Sequence, residues 1–246
     1  YPDDDYLKRP AEDIFWNIWG LYGFAEPPLE ASGPNSQGSA AKIRVFNPTV
    51  ELDGWSSDYT TIYVDQRDMP FLVDSLRMAL NRWGLNIYTL QSNPVWALRN
   101  DLGTIEGIHS NYVENADREA LMIIEVDLLS DREIEELQRE LTLVLDDVST
   151  VVDSFDPMRM RLELLIAELK TNAPKVEQLD ESLAFLQWIY DGYFVFTGCA
   201  EFDLEVKNES VYLREKAGSA YGLLKKYRGD LRKESVEELS DGVKGL

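Results

Sequence analysis

Apolar positions recur along the chain with two different periods, and their alternation predicts the elements. Thr60 to Val64 is β-branched and aromatic, as a strand requires. Arg67-Asp68-Met69-Pro70 breaks it, and Pro70 suits a first helical turn because its missing N–H would be unpaired there anyway. Leu72, Leu76, Ala79, Leu80 and Trp83 then fall on one helix face, and Gly84 stands where helices commonly end. Asn86 to Leu98 is a second extended run, so the stretch reads as a βαβ unit with nearly fixed handedness.

Further elements flank it. Residues 42–47 predict a short strand, and Asp53-Gly54 a turn. Asn100-Asp101-Leu102-Gly103 predicts a hairpin turn between Val95–Arg99 and Thr104–His109. Ala120 to Leu129 predicts another strand. Ser130 and Glu133 form a capping-box pattern ahead of a long helix whose stripe is Ile134, Leu137, Leu141, Val144, Leu145, Val148 and Val152. Asp156-Pro157 ends or restarts it. Met158, Leu162, Leu165, Ile166 and Leu169 mark a second helix, closed by Thr171 to Pro174, and Glu177 to Tyr190 a third. Tyr193–Val206 and Ser210–Arg214 predict a hairpin around Lys207-Asn208. The last thirty residues are expected to be loose or partly helical.

Three domains are expected: an N-terminal helical arm and polar linker at 1–40, an α+β domain at 41–155, and a helical connector with a β-hairpin at 156–246 that begins a second domain. In the arm, Phe15, Trp16, Ile18, Trp19, Leu21, Tyr22 and Phe24 crowd a short helix behind Asp3-Asp4-Asp5. Such an arm either docks on another domain or subunit or folds back on its own core. The α+β reading places the helices 70–83 and 131–153 on one face of an antiparallel sheet, because each has a single apolar stripe. A ferredoxin-like order needs one strand after the long helix, and 42–47 and 193–199 compete for it.

The net charge is −21. A nucleic acid or an anionic membrane would be repelled, so neither is an expected partner. No apolar run is long enough to span a bilayer. The single cysteine, Cys199, leaves no disulfide within the chain, which fits a cytoplasmic protein. His109 is the only histidine and sits in a predicted hairpin strand, so a surface or structural role is expected. One Cys and one His cannot build a common zinc site. Neither G-x-x-x-x-G-K-[ST] nor G-x-G-x-x-G occurs. No catalytic, cofactor-binding or metal-ligating residue is therefore expected. The remaining binding chemistry is the loop Arg67, Asp68, Met69 and Pro70, where a helix N-terminus favours an anion.

The residues I-R-V-F-N-P at 43–48, G-W-S-S at 54–57, D-M-P-F-L-V-D-S at 68–75, N-P-V at 93–95 and F-L-Q-W-I-Y-D-G-Y-F-V-F-T-G-C-A-E-F-D-L at 185–204 carry a family likeness. The chain resembles the N-terminal, ACT-like regulatory region of the large NAD-specific glutamate dehydrogenases. The resemblance implies an ACT-like fold and a non-catalytic regulatory or assembly segment. It also implies a full enzyme that converts glutamate to 2-oxoglutarate and ammonia with NAD. Partners so implied are the remainder of the same polypeptide, further copies in a homo-oligomer, and an amino-acid effector near the turn at Arg67 to Pro70. The alternative is a free-standing amino-acid-binding ACT-type module; an independent small enzyme would lack the motifs it needs. The chain starts at Tyr1 rather than a methionine, and a segment of a longer protein is expected. One departure stands out: the resembling turn carries glycine after the proline, and here Phe71 fills that place. Its Cβ hinders backbone approach to a ligand, and Asp68 competes for the helix N–H groups as a cap. The turn is thus either an effector site or a self-capped structural turn packed by Phe71.

Overall fold

The computed structural model describes residues 9–29, 41–172, 178–207 and 210–227. Its chain divides into two compact units, 1–149 and 150–246. Asp3-Asp4-Asp5, the 31–40 linker, Glu177, the turn residue Asn208 and the end of the chain from 228 lie outside the described residues.

The first unit is built on a five-stranded antiparallel sheet. Its elements are helix α1 (Ala11–Ala25), strand β1 (Lys42–Phe46), the single turn α2 (Val50–Asp53), β2 (Thr60–Arg67), α3 (Leu72–Arg82), β3 (Ile87–Arg99), β4 (Ile105–His109), β5 (Asp117–Val126) and the long α4 (Asp131–Asp153). The strand order is β1-β2-β5-β3-β4. Strands β2 and β3 both run antiparallel to β5, which lies between them. The predicted βαβ unit is thus split, with α3 crossing over a strand made later in the chain, as in ferredoxin-like sheets. Strand β1 takes the outer place beside β2, in register from Lys42↔Asp65 to Phe46↔Thr61. The fourth strand of the ACT-like order therefore comes from in front of the sheet, and 42–47 wins the competition with 193–199. Because β1 is an edge, its outward Val45 N–H would be open to another chain; Gln138 of α4 accepts it at 3.0 Å.

Helices α3 and α4 share one face of the sheet, as their stripes predict. Ile62, Val64, Met122 and Ile124 are fully buried there, opposite Leu76 and Leu80 of α3 and Leu137, Leu141 and Leu145 of α4. Polar ties fix the layer: Gln66 Nε2 donates to Ser149 Oγ at 2.8 Å, and Trp83 Nε1 to Glu140 at 2.5 Å. The capping box forms in part. Glu133 accepts the Ser130 N–H at 2.8 Å and its hydroxyl at 2.6 Å, and these bonds hold the Glu133 carboxyl below its usual range.

The opposite face is also covered. There α1 packs Leu21 and Ala25 against Phe46, Trp55, Tyr63, Ile105, Leu121 and Ile123. Of the two possibilities for the arm, the fold-back is the one observed. Gly20 permits it: a Cβ at that position would stand 3.0 Å from the Tyr63 hydroxyl. Burial on both sides explains why β2 is inaccessible at every residue but Arg67, where a one-sided sheet would alternate.

The second unit contains α5 (Phe155–Thr171), α6 (Leu179–Trp188) running into one wide turn at Ile189–Tyr193, the short β6 (Gly198–Cys199), the hairpin β7 (Phe202–Lys207) and β8 (Ser210–Glu215), and α7 (Gly222–Lys226). The hairpin is shorter than its sequence predicts. Tyr193 belongs to the wide turn, and Gly192 inside that turn has a left-handed φ of 95°, so the chain reverses there before a strand begins. Gly198 and Cys199 bridge instead to Gly222 and Tyr221.

Candidate functional site

The strand-to-helix turn brings Arg67, Asp68, Met69 and Pro70 to the end of β2, held by β5 and α4. The Asp68 N–H donates to the Arg118 carbonyl at 2.9 Å, and its carboxylate pairs with Arg118 Nε at 2.8 Å. Met69 is buried, with the Ser149 hydroxyl 3.7 Å from its sulfur. Asp68 does not cap the helix as the sequence suggests. Helix α3 opens on Phe71, whose carbonyl accepts the Ser75 N–H, and no side chain caps its N-terminus. The reason is directional: Arg118 of the neighbouring strand offers a cation to the Asp68 carboxylate, and a charge-assisted bond outcompetes a neutral N–H.

Phe71 itself has φ +72°, and its ring is 45% exposed. The ring is thus partly covered and partly open to solvent. The backbone adopts the left-handed form that glycine tolerates and a phenylalanine resists by about 1–2 kcal/mol. The turn therefore has a backbone shape that glycine adopts without strain.

A second polar constellation lies on the α1 side of the sheet, and sequence reasoning missed it. Lys42 of β1 pairs with Asp65 of β2 at 2.9 Å, and Arg99 of β3 makes a forked pair with Glu119 of β5, both bonds 2.8 Å. Arg99 also stands 3.8 Å from Asp65. Both cations then reach the C-terminus of α1. Lys42 Nζ donates to the carbonyls of Phe24, Ala25 and Pro27, and Arg99 to those of Ala25 and Glu26. Cations at these orphan carbonyls complement the negative end of a helix. Farther along the same face, Tyr63 Oη lies 2.8 Å from both the carbonyl and Oδ1 of buried Asn17, and Arg9 forms a forked pair with fully buried Glu125 at 2.6 and 2.5 Å.

Burial pushes the Asp65 carboxyl up to about 6; Lys42 and Arg99 oppose the rise, and Glu119 adds to it. Burial also works against the Arg99 charge, but Glu119 and Asp65 outweigh it and hold the guanidinium above its ordinary value. The signal available in the sequence was acids placed inside apolar strands, Asp65, Glu119 and Glu125. Their partners Arg9, Lys42 and Arg99 lie far off in the chain, so spacing could not reveal them.

His109, at the end of β4, is exposed. Among the described residues no cluster of three or more His, Cys, Asp or Glu could hold a metal ion, and no helix is long and apolar enough to cross a membrane. In the second unit a cleft of about 410 Å³ is lined by Met158, Leu162, Leu165, Phe196 and Cys199, with the Glu201 carboxylate paired to Arg161 beside it. Burial raises the Cys199 thiol pKa, and Arg161 partly offsets this.

The family model described as glutamate dehydrogenase, ACT1 domain, matches residues 1–141. The chain belongs to the glutamate dehydrogenase ACT1 domain family. The match covers α1, the whole sheet, α3 and the first half of α4. Two relatives extend the likeness. An NAD-specific glutamate dehydrogenase of Halomonas elongata is 33% identical over 241 residues, covering 94% of this chain and 14% of that protein. One from Pseudomonas aeruginosa is 34% identical over 200 residues, 79% of this chain and 12% of that protein. The chain thus spans about one seventh or less of the length of these curated relatives.

Proposed function

We propose that this chain is a non-catalytic regulatory and assembly segment of a large, cytoplasmic NAD-dependent glutamate dehydrogenase. The full enzyme would oxidise glutamate to 2-oxoglutarate and ammonia with NAD, using residues outside this segment. The observation that carries the reading is the ACT1 match over 1–141 together with the sheet it covers. Every strand pairing in that sheet is antiparallel, whereas dinucleotides are held at the carboxyl ends of parallel strands beside a glycine-rich turn. The turn at Arg67, Asp68, Met69 and Pro70 is the effector site in this reading. Support comes from the left-handed Phe71 and the uncapped start of α3, which leave N–H groups for an anionic ligand such as an amino-acid carboxylate.

Calorimetric titration of the 246-residue chain separates the alternatives. It should give no heat with NAD, and a millimolar or tighter constant with an amino acid that Asp68→Ala or Phe71→Pro weakens. Tight NAD binding would sink the non-catalytic reading. Silence toward every proteinogenic amino acid would remove the effector and leave assembly.

A further inference from the structure

Glu125 of β5 is fully buried on the α1 side of the sheet. It stands in register between two hydroxyl residues, Thr61 of β2 on one side and Thr89 of β3 on the other. Residues opposite one another in an antiparallel pair share a face, with Cβ atoms about 5 Å apart. Both threonines are buried, and among the described residues neither Oγ1 has a hydrogen-bond partner. Gln91 of β3 stands opposite Ile123, diagonal to Glu125 and within reach of a long side chain. Its Nε2 is equally enclosed and unpartnered among the described residues. Buried polar atoms are ordinarily bonded, so three idle ones around one carboxylate mark a chamber with hydrogen-bonding capacity left over.

The group seated there is a guanidinium. Arg9 closes the chamber with its forked pair, Nη1 to Oε1 at 2.6 Å and Nη2 to Oε2 at 2.5 Å, and its side chain is 18% exposed at the mouth. A fork onto a carboxylate selects a planar cation with parallel N–H groups. An ammonium is a compact, strongly hydrated point charge and does not match it. A guanidinium has five donors, of which the fork uses two. The Thr61 and Thr89 hydroxyls can accept from the others, and the Gln91 amide turns to offer its oxygen. Without a cation the Glu125 carboxylate would be stranded in a dry layer, so the chamber demands one.

The arm that brings Arg9 is lightly held at this end. Helix α1 buries Asn17, Leu21 and Ala25 and nothing ahead of Asn17. Its other apolar face, with Phe15, Ile18 and Trp19, is turned outward and 51–56% exposed. The chamber is also distinct from the turn at Arg67 to Pro70. Arg67 stands opposite Glu119, and Glu125 lies six residues farther along β5, roughly 20 Å away. We propose that Glu125, Thr61, Thr89 and Gln91 form a guanidinium-binding site, which the chain fills with its own Arg9 and which a free guanidino compound, arginine among them, takes when the arm is withdrawn. The inference needs only the sheet of the first unit and stands apart from both the effector turn and the glutamate dehydrogenase reading.

Calorimetric titration and thermal melts of the 246-residue chain test this with methylguanidinium chloride. Methylammonium chloride serves as a cation of equal charge that cannot fork. In the wild type the tethered guanidinium competes at a millimolar effective concentration, so low-millimolar methylguanidinium should leave the melting midpoint in place. Arg9→Ala should lower the midpoint. Methylguanidinium at ten times its dissociation constant should then raise it by ~3–5 °C, and methylammonium should not. The affinity for Arg9→Ala should be at least tenfold higher than for the wild type. Adding Glu125→Gln to Arg9→Ala removes the stranded charge and should abolish the shift in a folded protein. If Arg9→Ala does not fold alone, Arg9→Lys keeps a cation over Glu125 and carries the same comparison. A variant that ignores methylguanidinium would overturn the proposal. So would an equal shift in the wild type, an equal response to methylammonium, or a shift that survives Glu125→Gln.

Discussion

The two faces of the first unit's sheet are buried to a similar depth by opposite means. The α3/α4 face is closed by aliphatic side chains whose exact partners matter little: Leu137, Leu141 and Leu145 against Ile62, Val64, Met122 and Ile124. The α1 face mixes a small aromatic core with three buried polar ties, at Glu125, at Tyr63 and at Asp65–Glu119. An apolar layer is stabilised by area and tolerates rearrangement; an ionic layer adds little net stability but admits few registers. One residue of slip between β2 and β1 would send Asp65 and Lys42 to opposite faces of the sheet. The helix that is placed by charge is also the one that keeps a second apolar face free.

The comparison can be broken hardest by removing one partner on each side. Arg99→Met should cost about 3–5 kcal/mol, since it strands Glu119 in a dry layer and leaves Asp65 with Lys42 alone. Leu141→Ala should cost about 3 kcal/mol through its cavity. Both show in urea unfolding. They should differ in native hydrogen exchange: Arg99→Met should release the amides of α1, and Leu141→Ala those of α4. Tyr63→Phe, which removes the hydroxyl between Asn17 and the sheet, should cost about 1–2 kcal/mol and speed exchange in α1 without touching α4.

Acidity sharpens the contrast further. Asp65 holds its proton more tightly in the fold, at about 6, than in the unfolded chain, near 3.8. The folded state is thus protonated first as pH falls. This group's contribution to stability grows as pH drops from about 7 through 6 and levels off below about 4. Melts of wild type and Asp65→Asn across that range should converge at low pH and diverge toward neutrality, with the variant the more stable. The smallest effect belongs to the turn. Phe71→Gly should stabilise by up to about 1 kcal/mol, because relief of the left-handed strain is offset in part by glycine's freedom when unfolded. A loss of stability would show that the exposed ring has a contact on the native surface.

The legible part of this fold follows from single-period patterns. Strand β2, helix α3 and helix α4 each bury one continuous stripe or run, and the sequence places their cores within a few residues of where they lie. The sheet order was legible only up to its fourth strand, because pairing of β1 with β2 or of a later strand leaves the same local pattern. The double burial of the sheet was hidden because β5 and β2 carry acids inside apolar runs, and an acid in a strand ordinarily signals solvent. The turn was located from Pro70 and the strand end, but its geometry was not. Whether Asp68 caps α3 depends on Arg118, fifty residues on, and the left-handed backbone at Phe71 contradicts the ordinary preference of its residue type.

The middle strand of the sheet, β5, is the last of the five to be made. Neither β2 nor β3 has its inner partner until Val126 exists, and Arg9 must wait for Glu125, 116 residues downstream. During vectorial synthesis at ~5–20 residues per second, the 63 positions between Tyr63 and Val126 take roughly 3–12 s. At the start of that interval the aromatic arm has only Phe46, Trp55 and Tyr63 of its packing partners, and Ile105, Leu121 and Ile123 are still to be made.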